Sequence, residues 1–145
     1  MRNWLNAPEV SRWWGDPIKE AETLEGDLSE PDMAMQIVSF NARPFAYAQH
    51  YRVDRWPQPH FAGLPRGSRA IDSFIGEPGM IGCGHGSAYL RLLAARLCAE
   101  GAPVVAIDPA VDNSRARRAY EKAGFFGDEI VRTSEGPAVL MLFRS

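Results

Sequence analysis

Apolar residues fall into two rhythms along this chain. Between Ser68 and Gly101 the first is short and strand-like: Arg69 to Ile75 carries Ile71, Phe74 and Ile75 as its apolar members. Glycines follow at 76, 79, 82, 84 and 86. Then Leu90, Leu93, Ala94 and Leu97 recur at i, i+3, i+4 and i+7, the spacing of one buried helix face. The pattern predicts a strand, a glycine-rich turn, and a helix that starts near Gly86 or Ser87 and is capped by Gly101.

The remaining elements are arranged around this unit. Asn3 to Val10 predicts a short helix that Pro8 limits to a turn or two. Trp13 and Trp14 follow, either as core and cover or as one wall of a cleft. Pro17 to Leu28 reads as a solvated acidic helix. Met33 to Phe40 and Phe45 to Val53 predict two antiparallel strands about a turn at Asn41-Ala42-Arg43-Pro44. Alternation puts Phe45, Tyr47, Gln49 and Tyr51 on one face of the second strand, and Ala46, Ala48 and His50 on the other. The first of these faces is unusually polar and aromatic, as a ligand-lining strand would be. Arg55 to Ser68 is a long proline-rich loop. Pro103 to Ile107 predicts a buried strand parallel to Arg69–Ile75. Asp112-Asn113-Ser114 caps a helix whose buried stripe is Ala116, Ala119, Tyr120 and Ala123, ended by Gly124. Gly127 to Thr133 and Ala138 to Phe143 form a closing hairpin. The order gives a mixed α/β fold in one domain spanning 1–145.

Composition narrows the class. The chain has 145 residues, 46% apolar and 23% charged, with a net charge of −2. A nucleic-acid partner would want a basic excess, and none exists overall. Arg115, Arg117 and Arg118 are a local concentration, either a solvated helix face or a phosphate clamp. No apolar run approaches the ~20 residues of a membrane span. Cys83 and Cys98 are the only cysteines and are expected as reduced thiols in a cytoplasmic protein. His50 and His60 lack paired ligand spacing, so no metal site is expected.

The glycine turn carries the chemistry. Glycine allows positive φ and close approach of backbone to a ligand. A helix N-terminus adds unpaired N–H groups and roughly half a unit of positive charge. Together they suit a phosphate, although a tight turn alone would also need glycine. The lysine of a P-loop is missing. The spacing Gly82-x-Gly84-x-Gly86 misses G-x-G-x-x-G by one residue, which leaves a dinucleotide site, with Asp108 as the ribose acid, as a weaker reading.

Ile81-x-x-Gly84-x-Gly86 and the run N-S-R-A-R-R-A-Y-E-K-A-G-F from Asn113 to Phe125 resemble the two signatures of the GNAT superfamily of acyl-CoA-dependent N-acetyltransferases. Ile81 stands where that family usually has Arg or Gln. Four further stretches extend the resemblance over nearly the whole chain: W-L-N-A-P-E-V-S-R-W-W-G at 4–15, A-Y-A-Q-H-Y at 46–51, A-I-D-S-F-I-G at 70–76 and P-A-V-L-M at 137–141. They are similar to the aminoglycoside 6′-N-acetyltransferases. Siderophore-lysine acyltransferases share part of this framework but usually carry His where Asp72 stands. The resemblance implies a central mixed sheet with flanking helices and a C-terminal hairpin. It also implies a strand ahead of the first helix, so the first strand is expected to be missing here.

The same resemblance implies acetyl-CoA as cosubstrate, no metal, and a small amine as acceptor, with a homodimer compatible. The backbone of Ile81, Gly82, Cys83, Gly84, His85, Gly86 and Ser87 would hold the pyrophosphate. Ser73, Phe74 and Ile75 would pair with pantetheine, with Asn113 and Arg117 beside them. Tyr120 would protonate the departing thiolate. Asn113 and Tyr120 lie about 10.5 Å apart on one helix face, although an N-cap and a core tyrosine would fit each singly. Trp14, Tyr47, Gln49 and Tyr51 would line the acceptor cleft. Asp72, an acid among apolar neighbours, would accept the amine's proton or anchor its ammonium, or else be ion-paired with Arg69. The stretch from Arg55 to Arg69 holds three arginines and no carboxylate, which suits a polycationic aminoglycoside poorly. A siderophore- or lysine-type N-acyltransferase and a catalytically silent acyl-CoA-binding domain are the alternatives.

Overall fold

The computed structural model describes residues 1–144. Three helices come first: α1 Arg2–Asn6, α2 Pro8–Trp14 and α3 Pro17–Asp27. The expected single helix over Asn3–Val10 is thus two, parted at Ala7, whose extended backbone suits a residue before proline. Asp16 caps α3 by accepting from the Ile18 and Lys19 N–H groups. A hairpin follows, β1 Met33–Phe40 and β2 Arg43–Arg52, turning on Asn41 and Ala42, both at positive φ. Next are β3 Arg69–Ile75, α4 His85–Ala99, β4 Val105–Ile107, α5 Ser114–Ala123, β5 Phe126–Thr133 and β6 Gly136–Phe143. No strand precedes α1 among the described residues.

The six strands lie in the order β1-β2-β3-β4-β6-β5. Only β3 and β4 pair in parallel. One sheet face is covered by α4 and α5. Leu90, Leu93, Ala94 and Leu97 of α4 pack there against Ala48, Ile71, Val105, Ile107, Val139 and Met141. The other face is covered in two places. Leu5, Val10, Ala21 and Leu24 of the N-terminal helices sit on Tyr47 and Phe74. The 53–68 segment, ordered by a 3-10 turn at Pro59–Phe61, puts Val53 and Phe61 on Tyr51, Ala70 and Leu140.

The alternation expected for β2 holds from Tyr47 onward and fails at Phe45. Val38 pairs with Ala46 and Ser39 with Pro44, so Phe45 has no partner on β1. This bulge turns Phe45 toward α4, against His85 and Tyr89.

Gly76 closes β3 beneath Trp4. A Cβ there would lie 2.0 Å from Trp4 Cδ2, and the indole N–H donates to Glu77 Oε1 at 2.9 Å. Gly76→Ala is expected to destabilise the fold by ~1–3 kcal/mol through this overlap, read as a lowered Tm in thermal unfolding.

Candidate active site

The site begins where two parallel strands part. β3 pairs with β4 only at Arg69–Val105 and Ala70–Ala106. Beyond Ile107 the chain reaches Pro109, which has no N–H to donate. The segment stays with β6 instead: Val139 N–H donates to the Pro109 carbonyl at 2.9 Å and Val111 N–H to that of Pro137 at 3.2 Å. The edge of β3 from Ile71 to Ile75 is therefore without a β4 partner. A cleft of about 890 Å³ opens there. Ser73, Phe74, Ile75, Ile81, Gly82, Gly84, Gly86, Ser87, Asn113 and Tyr120, all named from the sequence, line it.

Two helix starts face this cleft. Gly84 is the N-cap of α4 at φ +85°, and Gly82 has φ +79°. A Cβ at either would meet nothing within 4 Å, so glycine is demanded there by backbone conformation rather than by crowding. Helix α4 starts at His85, one or two residues earlier than expected. Asn113 caps α5, its Oδ1 accepting from Ala116 N–H at 3.2 Å, and still borders the cleft. Three residues named for the cosubstrate stand apart from the lining. Cys83 is exposed. His85 is half-buried against Phe40, at 4.5 Å between ring centres, and Phe45. Arg117 donates to the Val111 carbonyl at 3.2 Å. Arg12, Arg115, Arg118 and Lys122 are the cations that line the cleft instead.

On the opposite sheet face a polar strip separates the two apolar clusters. The register sets Tyr47 beside Phe74, Gln49 beside Asp72, and Tyr51 beside Ala70. The first and third pairs are core, and the middle pair is polar. Tyr47 OH donates to Gln49 Oε1 at 2.6 Å, and Gln49 Nε2 donates to Asp72 Oδ2 at 2.9 Å. Tyr47 and Gln49 are thus buried supports of Asp72. Tyr51 lies in the core, packs on Trp56, and accepts from Gln58 Nε2 at 2.7 Å. Trp14 borders the cleft with Trp13 and meets Phe74 edge-on at 4.9 Å.

Asp72 has no cationic partner among the described residues. Arg69 projects from the other face and lies 3.3 Å from His50 Nδ1. Burial pushes the Asp72 carboxyl up to about 7, assisted by the charge of Asp108. Burial also raises Asp108 to about 7, with Glu135 adding to it. His60, given no role from the sequence, contacts Asp108 Oδ2 at 2.8 Å with its side chain 4% exposed. The pair is 48 residues apart in the chain, and the neighbouring Phe61 anchors this part of the loop on the sheet.

Tyr120 lies across the cleft on α5 and packs against Phe125. Burial raises its hydroxyl pKa, so it keeps its proton at neutral pH. Beside it, Tyr89 of α4 bonds to Ser73 of β3.

An acetyltransferase (GNAT) domain model matches residues 1–133. The chain belongs to the GNAT acetyltransferases. It is 33% identical over 156 residues to the aminoglycoside N(6′)-acetyltransferase type 1 of Klebsiella pneumoniae, covering 98% of this chain and 75% of that one. It also superposes on AAC(6′)-Ib in complex with paromomycin and acetyl-CoA, with TM-score 0.84 and 30% identity over 99% of this chain and 85% of that one. The complex of the same enzyme with coenzyme A and kanamycin gives TM-score 0.84 and 30% identity over 99% and 86%. This GNAT domain is an N-acetyltransferase. Among its described residues no group of His, Cys, Asp or Glu could hold a metal ion, and no helix is long and apolar enough to cross a membrane.

Asp72 of this acetyltransferase binds its proton more tightly folded than unfolded, since burial lifts its pKa to about 7, above the 3.8 of a free aspartate. Its favourable contribution is full below the unfolded value and is lost as pH rises through about 7. Asp72→Asn is therefore expected to raise Tm at about pH 8 and to leave it unchanged at about pH 3, as read by thermal melts across pH.

Proposed function

We propose that this protein transfers an acetyl group from acetyl-CoA to a primary amine of an aminoglycoside-like acceptor. The reading is carried by one observation: Asp72 and Tyr120 border the same parting of β3 and β4 from opposite sides of the sheet. The residues present fit the cosubstrate. An unpaired strand edge can bond the amides of a pantetheine arm, and open space over Gly82 and Gly84 admits a pyrophosphate against backbone N–H groups. Arg115, Arg118 and Lys122 supply countercharge. When bound, acetyl-CoA supplies an acyl carbon activated as a thioester.

The chain's own groups manage the protons. An ammonium must lose a proton before its nitrogen can attack, and a carboxylate held near neutrality is suited to take it. Gln49 fixes Asp72 Oδ2, leaving the other oxygen for the amine. As the C–N bond forms and the C–S bond breaks, Tyr120 gives its hydroxyl proton to the sulfur. The basic loop does not make the acceptor side cationic, because carboxylates reach it from elsewhere. The charges of Asp108 and Glu135 both raise the proton affinity of Asp72, Glu135 also raises that of Asp108, and Glu20 of α3 feels both Asp72 and Glu135. The names of the relatives support an aminoglycoside among amines of this kind. We place the reaction in the cytoplasm, where Cys83 and Cys98 stay reduced.

Thiol release from acetyl-CoA in the presence of kanamycin, and of a panel of polyamines and lysine derivatives, tests the reading. Turnover is expected with at least one acceptor. CoA binding with no thiol release for any amine would leave a catalytically silent domain. In the active enzyme, kcat/KM is expected to rise as pH passes through about 7, as Asp72 loses its proton. Asp72→Asn is expected to remove that inflection and lower kcat/KM by about 10²–10⁴. Tyr120→Phe is expected to lower kcat by about 10² while the Kd for acetyl-CoA, measured by calorimetry, stays nearly unchanged.

A further inference from the structure

The contact between Ser73 and Tyr89 is not used by the proton transfers above. Both residues line the cleft, on the same side of the sheet as Tyr120. Their hydrogens are fully committed. Ser73 Oγ donates to the Tyr47 carbonyl at 2.7 Å, which uses its only proton. The Ser73–Tyr89 bond must therefore be donated by the Tyr89 hydroxyl. Neither hydroxyl retains a donor for a thioester carbonyl, so what the pair contributes to an acyl group is shape.

That shape is held rigidly. The Tyr89 ring meets Phe45 edge-on at 5.9 Å, and Phe45 in turn meets His85 at 5.8 Å. The bulge in β2 supplies Phe45 to this wall. Ser73 directly follows Asp72 in β3, and the buried Tyr120 hydroxyl is close enough to feel Tyr89. The aromatic wall thus adjoins the point where acyl carbon, sulfur and amine must meet. We propose that Tyr89, braced by Ser73, is the stop that limits the transferred group to a short acyl chain. The inference rests on the acyl-CoA reading of the cleft and adds the residue that limits acyl length.

Binding of free CoA, acetyl-CoA, butyryl-CoA and hexanoyl-CoA, measured by calorimetry, tests it. Each variant is judged by its own ratio of hexanoyl-CoA to CoA affinity. The wild type is expected to lose affinity sharply between acetyl and hexanoyl. Tyr89→Leu is expected to narrow that discrimination by about tenfold or more. Tyr89→Phe keeps the ring and loses only the hydroxyl, and is expected to retain most of the discrimination. Equal binding of acetyl-CoA and hexanoyl-CoA by the wild type would overturn the proposal, whether or not any variant folds. So would a Tyr89→Leu protein, folded by its melting curve, that keeps the wild-type ratio. Failure of the wild type to bind CoA itself would instead sink the acyl-CoA reading.

Discussion

The parting of β3 from β4 after two residue pairs is the constraint on which the rest of the molecule depends. It arises because Pro109 cannot donate to a neighbouring strand and the chain around it is held by β6. A fully zipped parallel pair would have satisfied its backbone groups internally. The open edge leaves them available, and the six-stranded order places it at the middle of the sheet rather than at a rim. The helices on one face and the α1–α3 cluster on the other then hold the gap from both sides.

Much of this was legible in the residues. The switch from a two-residue to a 3.6-residue rhythm between Ile75 and Leu90 located the turn, and the positive φ at Gly82 and Gly84 agrees with it. Alternation also carried a distinction not drawn from it. Arg69 and Asp72 differ by an odd number, so they face opposite sides of a strand and cannot pair, as the contact of Arg69 with His50 attests. Likewise Arg115 and Arg118 share one helix face at i, i+3, while Arg117 lies off it and bonds to Val111. Other features had no local signal. The bulge at Phe45 depends on cross-strand register. The His60–Asp108 contact depends on where a proline-rich loop lands on a distant strand end.

The acceptor side is organised by shared burial. Asp72 and Asp108 hold their protons to near neutrality because each is withdrawn from water and each senses neighbouring carboxylate charge. His60 sits on Asp108 with its own pKa lowered by burial. The carboxylate of Asp72 is fixed by Gln49 but bound by no cation among the described residues, and on the proposed reaction it is the group left to receive an amine. The loop from Arg55 to Ser68 thus reaches Asp108 with the His60 imidazole rather than with an arginine.

The polar strip of Asp72 and the glycine turn lie on opposite faces of one sheet, joined only through the gap between β3 and β4. On the proposed reaction, the nucleotide tail and the amine then approach by separate doorways. Neither reactant has to leave before the other can arrive. A three-component encounter with direct handover follows naturally from such an arrangement, and the enzyme has no need to carry the acyl group on itself between two visits.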